Sequence, residues 1–277
     1  MRSLDSKMLF VGLGAQKTGT TWMADYLDSH PQVYVSPVKE LHYFSAKYLG
    51  KYFDNIFIKK IKRLSRSLEG PEEREKLEKL SLYLERLAMR SNGDYLKYFS
   101  RRVPEEVRVF GEITPAYSML HAPQFAEMYR LHGEVRFIFG MRSPVERYWS
   151  HLRYARGFRK DFDPIGSFEK KLEDPQFILR TDYIRTIREL EAKIPKEKIF
   201  YYFYEDLFGA KGEEVVRDLC KFLGVDYRKP DFGKSVNVSG KIDLDDEKKA
   251  LALERFRHVI DGVEERFGYV PANWRDL

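Results

Sequence analysis

The densest chemistry lies near the start of the chain, in Gly12-Leu13-Gly14-Ala15-Gln16-Lys17-Thr18-Gly19-Thr20-Thr21-Trp22. An apolar run, Met8 to Gly14, leads into it. A helical pattern with Trp22, Met23, Tyr26 and Leu27 on one face follows. A turn between a strand and a helix aims free backbone N–H groups, and the positive end of the helix dipole, at an anion. Gly14 and Gly19 have the spacing of the two glycines in the P-loop pattern G-x-x-x-x-G-K-[ST]. Thr20, however, stands where that pattern has lysine, and the lysine lies inside the loop at Lys17. In this arrangement the hydroxyls of Thr20 and Thr21 suit a 5′-phosphate. Lys17 suits the bond joining that phosphate to its cargo, where a positive donor stabilises charge on a leaving oxygen. A dinucleotide fingerprint, G-x-G-x-x-G, fails because its third glycine is Lys17.

Three further segments carry chemistry. Arg142-Ser143-Pro144-Val145-Glu146-Arg147-Tyr148-Trp149-Ser150 follows an almost continuously apolar run, Val135 to Phe139. The planar fork of Arg142 suits a phosphate, Pro144 pre-sets a first helical turn, and Ser150 lies about two turns on. Arg147 is open between a surface salt bridge and a ligand role. Val38-Lys39-Glu40-Leu41-His42-Tyr43-Phe44 offers two groups that can take a proton from a hydroxyl, Glu40 and His42. Gly111-Glu112-Ile113-Thr114-Pro115-Ala116-Tyr117 adds Glu112, read either as a second acid at a sheet edge or as a partner for Arg142 or Lys17.

Five short β-branched or aromatic runs must position these groups: Met8–Gly14, Gln32–Ser36, Val107–Ile113, Glu134–Met141 and Lys198–Tyr204. Helical patterns lie between them. One carries Val215, Leu219, Phe222 and Leu223 and closes at Gly224. Another carries Phe256, Val259, Ile260, Val263 and Phe267 and closes at Gly268. Strands alternating with helices predict an α/β fold, a three-layer α/β/α stack around a central parallel sheet. Residues 56–103 interrupt the alternation with a charged, helical stretch turning at Gly70-Pro71. They read as a helical insertion into a single domain spanning residues 1–277. Residues 155–180, rich in Gly, Pro, Asp and aromatics, read as a long connection over the binding site.

Composition narrows the class. The chain has 277 residues, 49 Lys and Arg against 43 Asp and Glu, and 15% aromatics. The net charge of +6 is spread along the chain and does not resemble the concentrated patch of a nucleic-acid binder. It suits a site that attracts a small polyanion. No apolar run approaches the roughly 18 residues of a membrane span. The only cysteine, Cys220, excludes an intrachain disulfide and a cysteine zinc cluster, and it reads as a core residue. The simplest class is a soluble cytoplasmic α/β protein.

With these residues in view, Lys17-Thr18-Gly19-Thr20-Thr21-Trp22 resembles the 5′-phosphosulfate loop of sulfotransferases. These enzymes use 3′-phosphoadenosine 5′-phosphosulfate (PAPS) and release 3′-phosphoadenosine 5′-phosphate (PAP). The second segment is similar to the family's R-x-P-x-x-R-x-x-S pattern, matching at Arg142, Pro144, Arg147 and Ser150. Tyr204-Glu205-Asp206-Leu207 also resembles a family segment. The resemblance implies the P-loop NTPase-like sulfotransferase fold. It implies that Gln16, Lys17, Thr18, Gly19, Thr20, Thr21 and Trp22 hold the donor and that Arg142 and Ser150 bind its 3′-phosphate, with no metal required. Lys39-Glu40-Leu41-His42 resembles the K-E-x-H stretch of heparan-sulfate-type members, whose glutamate is the general base. That assigns the base to Glu40, with His42 as the second candidate. The family's usual E-K-[ST]-P-x-Y carries Ile113 in place of its lysine here. The R-K-G-x-x-G loop of cytosolic members has no clear counterpart, and Lys241 is the one substitute. The implied acceptor is a hydroxyl of a carbohydrate, lipid or small molecule. The alternative is a P-loop small-molecule kinase using ATP and magnesium, which needs a lysine after Gly19 and an acidic metal ligand. A binding module without catalysis would not need Lys17 and Glu40.

Overall fold

A computed structural model describes residues 3–68, 72–157, 161–233 and 242–276. Its elements, in chain order, begin with β1 (Met8–Gly14), α1 (Thr20–Asp28) and β2 (Val33–Val35). Four helices follow: α2 (Tyr43–Tyr48), α3 (Tyr52–Ser65), α4 (Glu73–Ala88) and α5 (Asn92–Ser100). Then come β3 (Val109–Ile113), α6 (Ala122–Tyr129), β4 (Val135–Met141) and α7 (Pro144–Arg156). The remainder is α8 (Phe168–Leu172), α9 (Pro175–Leu179), α10 (Tyr183–Glu191), β5 (Ile199–Phe203), α11 (Tyr204–Leu207), α12 (Gly212–Leu223) and α13 (Asp246–Phe267).

The five strands form one sheet in the order β2-β3-β1-β4-β5, and every pairing is parallel. The central strand β1 is almost entirely buried, as expected of a strand covered on both faces. Leu9, Val11 and Leu13 pack into one apolar cluster with Phe137 and Phe139, while Phe10 enters another with Trp22, Leu27 and Ile138. This alternation is the period-2 signature of a strand between two helical layers. The chain leaves β1 toward β2 on one side and later crosses to β4 on the other. The strand order therefore reverses beside β1, and in open α/β sheets ligands bind at that reversal, outside the carboxyl ends of the strands.

All five expected strands form. The helical stretch between β2 and β3 is α2 to α5, beginning earlier than residue 56, and the expected turn at Gly70-Pro71 lies outside the described residues. The segment expected as a long connection is different. Residues 161–180 form the one-turn helices α8 and α9, and Phe168 and Leu172 are buried against Tyr148 and Trp149. Its aromatic content, read as loop, is core. No helix among the described residues is long and apolar enough to cross a membrane.

Candidate active site

The β1–α1 turn is shaped by backbone that few residues tolerate. Gly14 has φ +112°, and a Cβ there would lie 2.8 Å from the Pro115 carbonyl oxygen. Gly19, the residue before α1, has φ +80°. Only glycine adopts such angles without strain. Thr18 is fully buried; its hydroxyl donates to the Ala15 carbonyl, and its own carbonyl accepts from Tyr202 Oη at 3.0 Å. The loop is thus pinned from below, and the first N–H groups of α1 are directed outward, as at any helix start.

Every strand delivers residues to one cleft of about 590 Å³ at this edge. The loop after β1 contributes Gln16, Lys17, Gly19, Thr20, Thr21 and Trp22. Beyond β2 come Lys39, Glu40 and His42; beyond β3, Pro115; beyond β4, Arg142, Ser150, His151 and Tyr154; beyond β5, Tyr204. Ile56 and Lys60 of α3 complete one wall. Of the residues expected to hold a donor, Thr18 alone among those described turns its side chain away from the cleft. Any part it plays is through its backbone. Lys241 lies outside the described residues.

Lys17 has a left-handed backbone (φ +70°) and holds its ammonium 4.3 Å from the Tyr154 ring centre. Partial burial, and then the charges of Arg142, Arg153, Arg147 and Lys39, push its pKa down to about 8. Lys39 donates to Thr21 Oγ1 at 2.9 Å. Arg142 donates to the Lys17 carbonyl at 3.3 Å, pairs with Glu146 at 3.2 Å, and lies over the Tyr204 ring at 4.4 Å. Ser143 caps α7 and Pro144 opens it, which places Ser150 and His151 two turns along on the cleft side. Trp22 is buried in a stack, 5.5 Å from Tyr26 and 5.1 Å from Phe232, with interplanar angles of 6° and 7°.

Among the residues beyond β2, Glu40 Oε2 stands 3.2 Å from His42 Nε2. The Glu40 side chain is 34% exposed and the His42 side chain 6%. His42 Nδ1 lies 3.3 Å from Ser45 Oγ, and its ring sits 4.9 Å from that of Phe53. Burial raises the Glu40 carboxyl. The hydrogen bond and charge of His42, with Lys39 and Lys60, outweigh that effect and hold it below the ordinary glutamate value. Lys17, Glu40 and His42 are the three non-glycine residues with positive φ among the described residues, and all three line the cleft. Such backbone costs on the order of 1–3 kcal/mol per residue and persists where surroundings enforce it.

Glu112 corrects the expectation. It pairs with neither Arg142 nor Lys17 and does not line the cleft. It is 1% exposed and accepts from the Leu41 N–H (3.2 Å), Thr114 Oγ1 (2.6 Å), Tyr95 Oη (3.0 Å) and Tyr117 Oη (2.8 Å). It is therefore a buried anchor for residues 40–42, and not an acid at the sheet edge. Arg147 is likewise no surface salt bridge. It is fully buried, and no hydrogen-bond partner for its guanidinium occurs among the described residues. Burial lowers its pKa to about 10. His151, Tyr154 and Lys60 were not anticipated. The first two were available, because 147, 150, 151 and 154 share one helical face.

A glycine-rich turn onto a helix, a displaced lysine and the arginine that follows β4, all at one sheet edge, define a P-loop-like group-transfer enzyme. Residues 10–229 match the Sulfotransferase family, and the chain belongs to it. Among solved structures, a sulfotransferase from Alicyclobacillus acidocaldarius shares the fold, with TM-score 0.67 and 21% identity over 96% of this chain and 98% of that one. The sulfotransferase domain of the Synechococcus PCC 7002 olefin synthase does so with TM-score 0.53 and 18% identity over 96% of each. No curated protein matches the chain.

Proposed function

We propose that the protein transfers the sulfuryl group of PAPS to a hydroxyl of a carbohydrate, lipid or small-molecule acceptor, acting as one domain over its whole length. The observation that carries this reading is the convergence of two kinds of group on one cleft. Lys17 and the N-terminal residues of α1 line it together with Glu40, whose carboxyl is held below its ordinary value. The α1 N–H groups with Thr20 and Thr21 hold the 5′-phosphate. Arg142 and Ser150 hold the 3′-phosphate, and the Trp22 stack borders the nucleotide. The acceptor oxygen attacks sulfur in line while Glu40 takes its proton. The new O–S bond forms as the bond from sulfur to the 5′-phosphate oxygen breaks. Lys17 balances the charge left on that oxygen, and PAP departs. His42 holds the carboxylate that accepts the proton.

The kinase alternative loses its substitute metal ligand, since all four Glu112 contacts point into the protein. A melting curve with PAP in EDTA, beside ATP with magnesium, tests the assignment. Ligand at 100 times its Kd adds about 2.7 kcal/mol. Stabilisation by PAP alone is expected. Stabilisation by ATP with magnesium, and none by PAP, overturns the reading.

A further inference from the structure

The sixteen-residue helix α4 buries a single residue, and that residue is an arginine. Arg86 is 2% exposed. Burying a guanidinium is costly unless its donors are satisfied, and here all three nitrogens are used. Nε donates to the Leu41 carbonyl, Nη2 donates to the His42 carbonyl at 2.8 Å, and Nη1 pairs with Asp54 of α3 at 2.8 Å. The Phe57 ring lies 4.9 Å from the guanidinium carbon. Two of these contacts fall on a stretch of three residues, Glu40 to His42, whose outer members hold left-handed backbone. On its other side the same stretch is held by Glu112 at the Leu41 N–H and by Thr114 Oγ1 at the His42 N–H, 3.4 Å away. The β3 segment therefore takes the N–H groups, and the helical stretch takes the carbonyls.

We infer that Arg86 is a positioning residue for the transfer reaction, a clamp by which the helices between β2 and β3 fix the Glu40–His42 pair in its strained backbone. The inference rests on the transferase reading above. It gives those helices a part in catalysis apart from shaping an acceptor pocket. A planar fork is required, because two carbonyls one residue apart must be met at once, and a point-charge donor meets one of them. Arg86 touches no residue of the donor loop, so its removal acts on Glu40 and His42 and leaves the nucleotide contacts in place.

The test compares wild type, Arg86→Met and Arg86→Lys in the full chain by three readings. These are PAP affinity, amide hydrogen exchange in a peptide covering 38–44, and release of PAP from PAPS with water as the only acceptor. For Arg86→Met the expectation is unchanged PAP affinity, with exchange at 40–42 faster by about tenfold or more through local opening. PAP release falls by about 10²-fold, the lower end of what a positioned base supplies. Arg86→Lys recovers part of both effects. Uniformly raised exchange, with PAP affinity and turnover falling together, makes Arg86 merely structural and overturns the inference. Unchanged exchange at 40–42 overturns it as well. If Arg86→Met does not fold, the lysine variant alone decides by the same readings. A wild-type chain that binds no PAP defeats the transferase reading instead, and the exchange comparison still decides whether the clamp exists.

Discussion

His42 Nε2 stands 3.2 Å from Glu40 Oε2, and the residue between them, Leu41, is fully buried. Both line the cleft, the carboxylate the more exposed of the two, while the buried imidazole contacts Phe53 and Ser45. On the proposed reading the more exposed group meets the acceptor, and the more buried one sets its orientation and proton affinity. Glu40→Gln is expected to keep the fold and PAP affinity and to lose about 10²–10⁴-fold in turnover. Full activity of this variant would transfer the base assignment to His42.

His42→Gln tests the second role. Glu40 is held below its ordinary value chiefly by the His42 hydrogen bond, against burial. A carboxyl with a depressed folded-state pKa contributes stability that is present above its unfolded value and lost as pH falls through the folded one. Without the His42 ring, that depression shrinks. The acidic limb of the turnover profile should therefore move to higher pH, and the acid side of the melting profile should show a smaller loss of stability than wild type. An acidic limb that stays in place would remove His42 from any control of Glu40.

Lys17 gives a signature on the alkaline side. Its pKa of about 8 in the free protein means that the ammonium is lost as pH rises through that value. A lysine depressed by burial and neighbouring cations opposes folding while charged, so this term makes stability rise with pH between about 8 and the ordinary lysine value near 10.4. A bound phosphate reverses the preference. PAP binding should therefore take up protons near pH 8 and weaken above it, readable by calorimetry in buffers of different ionisation heat. Lys17→Ala should abolish the uptake and cut turnover by orders of magnitude. Uptake that persists in Lys17→Ala would assign the titration to another group.

Arg142→Ala tests the assignment of the 3′-phosphate. One charge-assisted contact to a phosphate is worth about 1.5–3 kcal/mol, or roughly 10–100-fold in affinity. Arg142→Ala should weaken PAP by that factor and leave 5′-AMP, which lacks the 3′-phosphate, nearly unchanged. Equal loss for both ligands would place Arg142 at the 5′ end of the nucleotide, consistent with its contact to the Lys17 carbonyl.

What could be read from the residues depended on whether a role is local. The β1–α1 turn is a local object: glycine spacing, a lysine and three threonines within eight residues specify it. The five strands were legible because fully buried parallel strands are near-continuous apolar runs. Glu112 was misread because two of its partners, Leu41 and Tyr95, come from segments other than its own, and no spacing in the chain reports that convergence. Arg86 was hidden for the same reason. It sits in a helix whose other charged residues are none of them buried, and its periodicity does not set it apart. Phe168 and Leu172 were taken for loop because a one-turn helix is too short to show a 3.6-residue pattern.

Glu112 offers the last test, of the anchor beneath Glu40 and His42. Its two oxygens divide the work. Oε2 accepts from the Leu41 N–H and Thr114, while Oε1 accepts from the two tyrosine hydroxyls. In Glu112→Gln the amide oxygen must face Leu41, whose N–H can only donate, and the amide NH₂ then faces the tyrosines. Those hydroxyls can turn and accept, but their own protons lose an acceptor. A loss of about 1–3 kcal/mol is expected from such incompletely paired buried groups. Burial also raises the Glu112 carboxyl, against the hydrogen bonds from Thr114, Tyr117 and Tyr95. A carboxyl raised in the folded state makes stability fall as pH rises from the ordinary carboxylate value to the folded one. The variant lacks that term, so the stability gap between wild type and Glu112→Gln should narrow as pH rises from about 4, the ordinary glutamate range. Urea titrations of both proteins between acidic and neutral pH measure the gap. A gap that widens instead would mean that the site prefers the ionised form, and that the four donors outweigh burial.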